Sequence, residues 1–379
     1  MGSRKARGHA MSQDEKTSSK RAVMETKSVA EAIEWQADHA EKNGAPNTAR
    51  VIRAQLALIA REETATARRL ANWHGLMLED AVPLRVAGGF HNLLLTGTDR
   101  ALEPVYAGLT NDQGQVDEIV CDLARTYDTL LLPWLDTPPQ TNEAGRSAAI
   151  MAGLAWLADR IDMPFRLYEL GASAGINTMM HRFRFDLGGI RFGANASPLK
   201  IEPEWRGAPP PVSDVRIESV FGCDLKPIDL TNEAEALRLK SYVWPEAVER
   251  MARIDAAIAL AREEPPLVAR QGAGQFVAEL LQEEQDAGIC RTIFHSILWQ
   301  YLPEAERSRI SSAMEEAGAQ ATREKPLAWL ALETNRATFA HELTLRYWDA
   351  AEKAGEGDGT PHLLATAHPH GAWVEWRGT

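Results

Sequence analysis

The chain has 379 residues, with 41 Lys+Arg against 53 Asp+Glu and a formal net charge of −12. Apolar residues make up 45% and charged residues 25%, a globular make-up with room for two or three domains, which excludes disorder along the whole chain. The acidic balance speaks against duplex nucleic acid as the main partner, and no apolar run approaches the ~18–20 residues of a membrane span.

The opening MGSRKARGHAMSQDEKTSSKRAV is polar and basic and lacks the apolar segment of a secretory signal. Residues 1–24 are therefore expected to form a disordered tail, with Met11 or Met24 as conceivable starts. Cys121, Cys223 and Cys290 are widely spaced and odd in number, so neither a disulfide framework nor a zinc site is expected, and the compartment suggested is the cytoplasm. From 25 to 160 the pattern is helical. Val29, Ile33 and Ala37 mark one face of SVAEAIEWQADHAEKNG, with Ser28 as cap and Gly44 as stop. TARVIRAQLALIAREETATARRLANWHGLM, VDEIVCDLARTYDTLLLPWL and NEAGRSAAIMAGLAWLADRI continue in the same manner.

The character changes at Pro164. FRLYEL reads as a strand that stops at GASAG, and INTMMHRF reads as a helix beyond it. Further strands are predicted at 215–222, 266–270, 290–298, 326–333, 342–349 and within 362–376. Helical windows lie at 246–263, 275–285 and 304–318. Strands alternating with helices predict a mainly parallel Rossmann-like sheet over 161–379. Only the connection from ELTLRYWD to HLLATAHP lacks room for a helix, which predicts a terminal antiparallel hairpin at the sheet edge. This layout resembles the class I S-adenosylmethionine-dependent methyltransferase domain, preceded here by an all-helical cap or substrate domain over 25–160.

The heptapeptide Glu169-Leu-Gly171-Ala172-Ser173-Ala-Gly175 carries the most chemistry. Its glycines permit a tight turn and close ligand approach, and a helix beyond it would add partial positive charge. It is not the dinucleotide fingerprint G-x-G-x-x-G, because position 173 is Ser. The methyltransferase resemblance implies that this loop surrounds the amino-acid part of S-adenosylmethionine, with Glu169 near the ammonium. Gly171, Ala172, Ser173, Gly175 and Asn177 would complete the loop, and Asp224, after the second strand, would hold the ribose hydroxyls. The same residues also spell G-x-S-x-G, the nucleophile elbow of a serine hydrolase. Ser173 would then be the nucleophile, Asp224 or Asp229 the acid, and His368 or His370 the base. A third reading is a non-catalytic small-ligand-binding protein.

His295 follows the apolar strand CRTIF and has a side chain suited to taking a proton near neutral pH. With Gln300 and Tyr301 it would line a pocket beyond the carboxyl ends of the strands. Gln140, Asn142, Glu143 and Arg146 open a helix after a Pro-Pro break. They read either as a polar wall that orients a small substrate, or as helix caps with a Glu143–Arg146 pair. His368 and His370 have no companion acid or third histidine nearby, and no metal is expected. Finally, LYELGASAGIN, FGCDLKPIDL, SYVWPEAVERMARIDAAIALAR, HSILWQYLP and AHPHGAWVEW resemble, in order, a bacterial family catalogued as domain of unknown function 2332. AGGFHNLLLTG and PPQTNEAGRSA fit it too, so the resemblance covers roughly 45–379. One departure is Gln271-Gly-Ala-Gly274 after the third strand, where the family is expected to carry Gly-Asp-Ala.

Overall fold

The computed structural model describes residues 28–75, 80–351 and 355–378; the tail expected over 1–24 lies outside them. Contacts divide the chain into two compact units. The first holds the described residues up to Pro139 together with Ser241–Ala247, and the second holds Gln140–Lys240 and Val248–Thr379.

The first unit is helical: α1 (Val29–Lys42), α2 (Pro46–Arg53), α3 (Gln55–Arg61), α4 (Ala65–Ala71), α5 (Val82–Leu95), α6 (Glu103–Tyr106) and α7 (Gln113–Leu131). Ser28 caps α1 through its hydroxyl, which accepts the Glu31 N–H at 3.2 Å, and Gly44 adopts φ +81° just beyond the helix. Ile33, Ile52, Leu70, Phe90 and Leu135 are fully enclosed in its core.

The second unit is built on α8 (Ser147–Ile161), α9 (Glu233–Ser241), α10 (Val248–Glu263), α11 (Ala273–Leu280), α12 (Glu304–Gly318) and twelve strands. The strands are β1 (Phe165–Leu170), β2 (Arg184–Leu187), β3 (Ile190–Gly193), β4 (Lys200–Ile201), β5 (Glu204–Arg206), β6 (Ile217–Asp224), β7 (Val268–Arg270), β8 (Cys290–Ser296), β9 (Leu327–Thr334), β10 (His341–Trp348), β11 (His362–Ala367) and β12 (Trp373–Trp376). Nine of them form one sheet in the order β5-β12-β11-β10-β9-β8-β1-β6-β7, and β3-β2-β4 form a small second sheet. The five strands from β7 to β9 are all parallel. β1 and β8 are buried along almost their whole length, as central parallel strands must be when both faces are covered.

Three expectations change. The boundary expected at residue 160 falls after Pro139, because α8 packs on β9 and β10. Gly153 permits this: a Cβ there would meet Leu330 Cδ2 at 2.8 Å. The helix expected after GASAG is a short 3-10 turn, Asn177–Arg182, and the chain then makes the small sheet and β5 before returning as β6. The hairpin β10–β11 is present but is not at the edge, because β12 and β5 lie beyond it. Moreover β9 and β10 pair antiparallel across a loop with no helix, so β9 to β12 form a four-strand meander, with β5 beyond it at the edge.

Candidate functional site

The strand order reverses between β1 and β8, since the chain goes from β1 to β6 and β7 on one side and then to β8 and β9 on the other. In open parallel sheets such a reversal leaves a crevice beyond the carboxyl ends of the strands. The glycine loop leaves β1 at this end. Gly171 and Gly175 take φ +67° and +71°, and Ser173 takes +53°, a conformation uncommon for a residue with a side chain. The glycines are also close-packed against protein. A Cβ on Gly171 would meet Leu298 Cδ1 at 2.6 Å, and one on Gly175 would meet Pro266 Cβ at 2.7 Å. The close approach expected for a ligand at these two positions is thus taken by neighbouring side chains. The helix dipole expected behind the loop is absent as well, because a short 3-10 turn cannot supply one.

What the loop does present is polar. Glu169, at 1% exposure, accepts the Asn177 Nδ2–H at Oε1 over 3.3 Å. Its Oε2, the Asn177 Oδ1 and the Ser173 Oγ are enclosed and have no hydrogen-bond partner within the protein. Burial raises the Glu169 pKa to about 8, with Asp224 adding to the rise and Asn177 and Arg146 opposing it. Buried polar atoms are normally paired, so three unpaired ones around a single turn make this the candidate site. Ala172 is enclosed and donates its N–H to the Cys223 carbonyl at 2.9 Å. Asp224, at the end of β6, accepts the Ser173 N–H at 2.9 Å and the Lys226 N–H at 2.8 Å. It therefore shapes the loop, with lone pairs left on both oxygens.

The 140–146 segment lies against the same loop, within the second unit itself. Asn142 Oδ1 accepts the Ile176 N–H at 2.8 Å, and Gln140 donates to the Lys226 carbonyl at 3.0 Å. Glu143 does not pair with Arg146. It caps the Ala144–Arg146 turn by accepting the Gly145 N–H and forms ion pairs with Arg250 at 2.7 Å and Arg253 at 3.2 Å. Arg146, at 7% exposure, donates Nε–H to the Pro369 carbonyl at 2.9 Å. Among the described residues its two terminal amino groups make no hydrogen bond or ion pair. Burial lowers its pKa, and Glu143, Tyr301 and Glu169 are close enough to oppose that shift.

His295 is placed differently from a base. Its Nδ1 lies 2.6 Å from Glu333 Oε1, and Trp329 Nε1–H donates to its Nε2 at 3.0 Å. An indole N–H can only donate, so the imidazole proton sits on Nδ1 and neither nitrogen is free for a substrate. The ring also stacks on Trp299 at 4.9 Å. Gln300 is exposed, and Tyr301 reaches 70% exposure, so neither is enclosed as a pocket wall. Asp229 accepts from the Thr231 backbone and hydroxyl, the capping role that competes with a ligand role in the sequence.

The serine-hydrolase constellation is not assembled. An elbow exposes its serine oxygen, whereas Ser173 Oγ is enclosed and bonded to no histidine. Both oxygens of Asp224 face backbone N–H groups. Burial, then Arg250 and Arg146, lower the His370 pKa to about 2, too weakly basic for a general base near neutral pH. Among the described residues no group of three or more His, Cys, Asp or Glu could hold a metal ion, and no helix is long and apolar enough to cross a membrane.

Sequence reasoning passed over Arg250, Arg253, Glu333 and Trp329. The two arginines had a local signal, because three-residue spacing puts them on one face of α10. Glu333 and Trp329 reach His295 only through the pairing of β8 with β9, and nothing local announces that. The chain matches no curated protein. Residues 30–376 match the family described as "Uncharacterized protein conserved in bacteria (DUF2332)", and the chain belongs to that family.

Proposed function

We propose that the second unit is a class I-type S-adenosylmethionine-dependent methyltransferase acting on a small polar acceptor. The observation that carries this reading is the position of the loop. Glu169, Ser173 and Asn177 sit at the carboxyl end of β1, beside the reversal in strand order, and each holds an enclosed oxygen without a partner. Such oxygens fit the amino-acid end of the cofactor, with Glu169 as the ammonium partner and Asp224, on the adjacent strand, for the ribose hydroxyls. When bound, the cofactor supplies an activated methyl group for in-line displacement. The chain's own residues bind and align the reactants and exclude water, which this chemistry needs more than it needs a base. His295 has no proton-transfer role in this reading, and its partners make it a rigid prop for the end of β8.

Titration with S-adenosylhomocysteine tests the reading. Binding should raise the melting temperature by mass action, and absence of a shift at millimolar ligand overturns it. Covalent labelling of Ser173 by a fluorophosphonate, with esterase activity lost in Ser173→Ala, would replace it with the hydrolase reading.

A further inference from the structure

Arg250 and Arg253 on α10, and Arg146 just before α8, gather around one carboxylate and one turn, all within the second unit. Arg250 and Arg253 both bond Glu143, at 2.7 and 3.2 Å. Arg253 also donates Nη2–H to the His370 carbonyl at 3.3 Å, and Arg146 donates to the preceding carbonyl, that of Pro369, at 2.9 Å. His368 opens that turn. Its Nδ1 accepts the His370 N–H at 3.2 Å, so its imidazole proton sits on Nε2. Three guanidinium groups thus share one enclosed acid. A second carboxylate, Glu249, lies 4.0 Å from Arg253 but is 94% exposed, where solvent screens it.

Donor capacity is left over in the same place. Among the described residues, the terminal amino groups of Arg146 and Arg250 and the Nε2–H of His368 make no hydrogen bond. Arg146 is buried and the side chains of Arg250 and Arg253 nearly so, and enclosed charges are normally paired. Burial, then Arg250, lower the His368 pKa, in keeping with a concentration of positive charge here, although the chain as a whole carries −12. We propose that this cluster binds the oxyanion group, carboxylate or phosphate, of a small acidic molecule, with Arg146, Arg250 and His368 as its donors. A planar guanidinium matches two oxygens of either group through parallel N–H···O bonds. Arg253, occupied by Glu143 and His370, holds the turn in place. Asn142 ties the same 142–146 segment to the glycine loop at Ile176. Under the methyltransferase reading, on which this one step rests, the methyl acceptor is therefore an organic acid or a phosphate ester.

Calorimetric titration of the full chain with inorganic phosphate and with malonate, at constant ionic strength in chloride, tests the site. Each anion should bind, and each should displace the other. Arg250→Gln should weaken both at least about tenfold, and Arg250→Lys less, because the charge stays while the fork is lost. Glu143 keeps Arg253 and the Gly145 N–H in either variant, so the fold should persist. His368→Phe, which removes a donor without touching Glu143, should weaken both anions too. No binding of either anion at millimolar concentration overturns the proposal, and so does binding unchanged by these substitutions. Repeating the titration with S-adenosylhomocysteine present separates this site from the cofactor reading. Anion binding that persists beside S-adenosylhomocysteine leaves both standing. Mutual exclusion would mean that the anion occupies the cofactor's own place, and overturns the separate site alone. Anion binding without S-adenosylhomocysteine binding upholds the site and removes the methyltransferase. Binding of neither overturns both. The titrations of the unaltered chain need no variant, so they decide the matter even if a variant fails to fold.

Discussion

Glu169 is a carboxyl group enclosed at the end of β1, where its neighbours disagree about its charge. Burial favours the protonated form, Asp224 reinforces this, and Arg146 and the Asn177 amide oppose it, with a net pKa of about 8 against an ordinary 4.5. A group whose folded pKa is raised binds more protons in the folded state between those two values. Its contribution is complete below 4.5 and is lost as pH rises through about 8. Stability of the unliganded protein should therefore decline over that window, and Glu169→Gln, which keeps the shape without the charge, should remove that component. Melting temperature against pH for the two proteins checks this, and parallel curves would contradict it. His295 yields a second prediction. Replacing it with Phe leaves the Trp329 N–H without its acceptor and takes one of two donors from Glu333 Oε1, which keeps the Leu298 N–H, at a cost of about 1–3 kcal/mol. Urea denaturation measures the loss. A neutral effect would mean that the histidine is not held as its hydrogen bonds indicate.

At the scale of elements, the site depends on two backbones that almost touch. A Cβ on Gly145 would meet the His370 carbonyl oxygen at 2.7 Å and Gly371 Cα at 2.9 Å. Backbone cannot step aside as a side-chain tip can, so Gly145→Ala must shift the Ala144–Arg146 turn away from the turn between β11 and β12. The cost expected is about 1–3 kcal/mol, read as a lower melting temperature, and an unchanged one would mean that the two turns do not press on each other. The parallel strands were legible because continuous apolar runs bounded by turns encode them: 290–298 and 326–333 were read within two residues of β8 and β9. β2 to β5 were not, since INTMMHRF has helical spacing and the strands after it are only two to four residues long. The GASAG turn was legible as well. Its glycines suggest the close approach of a ligand, yet Leu298 and Pro266, far away in sequence, are what they accommodate. Periodicity reports on a residue's own element, and these contacts belong to other elements.

For the molecule as a whole, the first unit is discontinuous, since Ser241–Ala247 belong to it although both flanking segments belong to the sheet unit. Those seven residues hold part of its structure in place. The N-terminus of α2 has no side-chain cap of its own. Glu246 supplies one, its carboxylate accepting the Asn47 and Thr48 N–H groups at 2.8 Å each and the Thr48 hydroxyl at 2.6 Å. Glu246→Ala should cost about 1–2 kcal/mol, read as a lower urea midpoint with an unchanged slope. An unchanged midpoint would remove Glu246 from the account of α2.

That borrowed cap also constrains the order of events at the ribosome. Amino-terminal domains ordinarily fold as soon as they emerge. Here the segment that completes the helical unit, 241–247, is synthesised only after β1, β6 and the glycine loop. Until then the N-terminus of α2 lacks the Glu246 carboxylate, and the nascent helical segment is less stable than in the finished chain. Resistance of stalled nascent chains to protease should therefore appear abruptly once 241–247 have cleared the exit tunnel, and not at the end of residue 139.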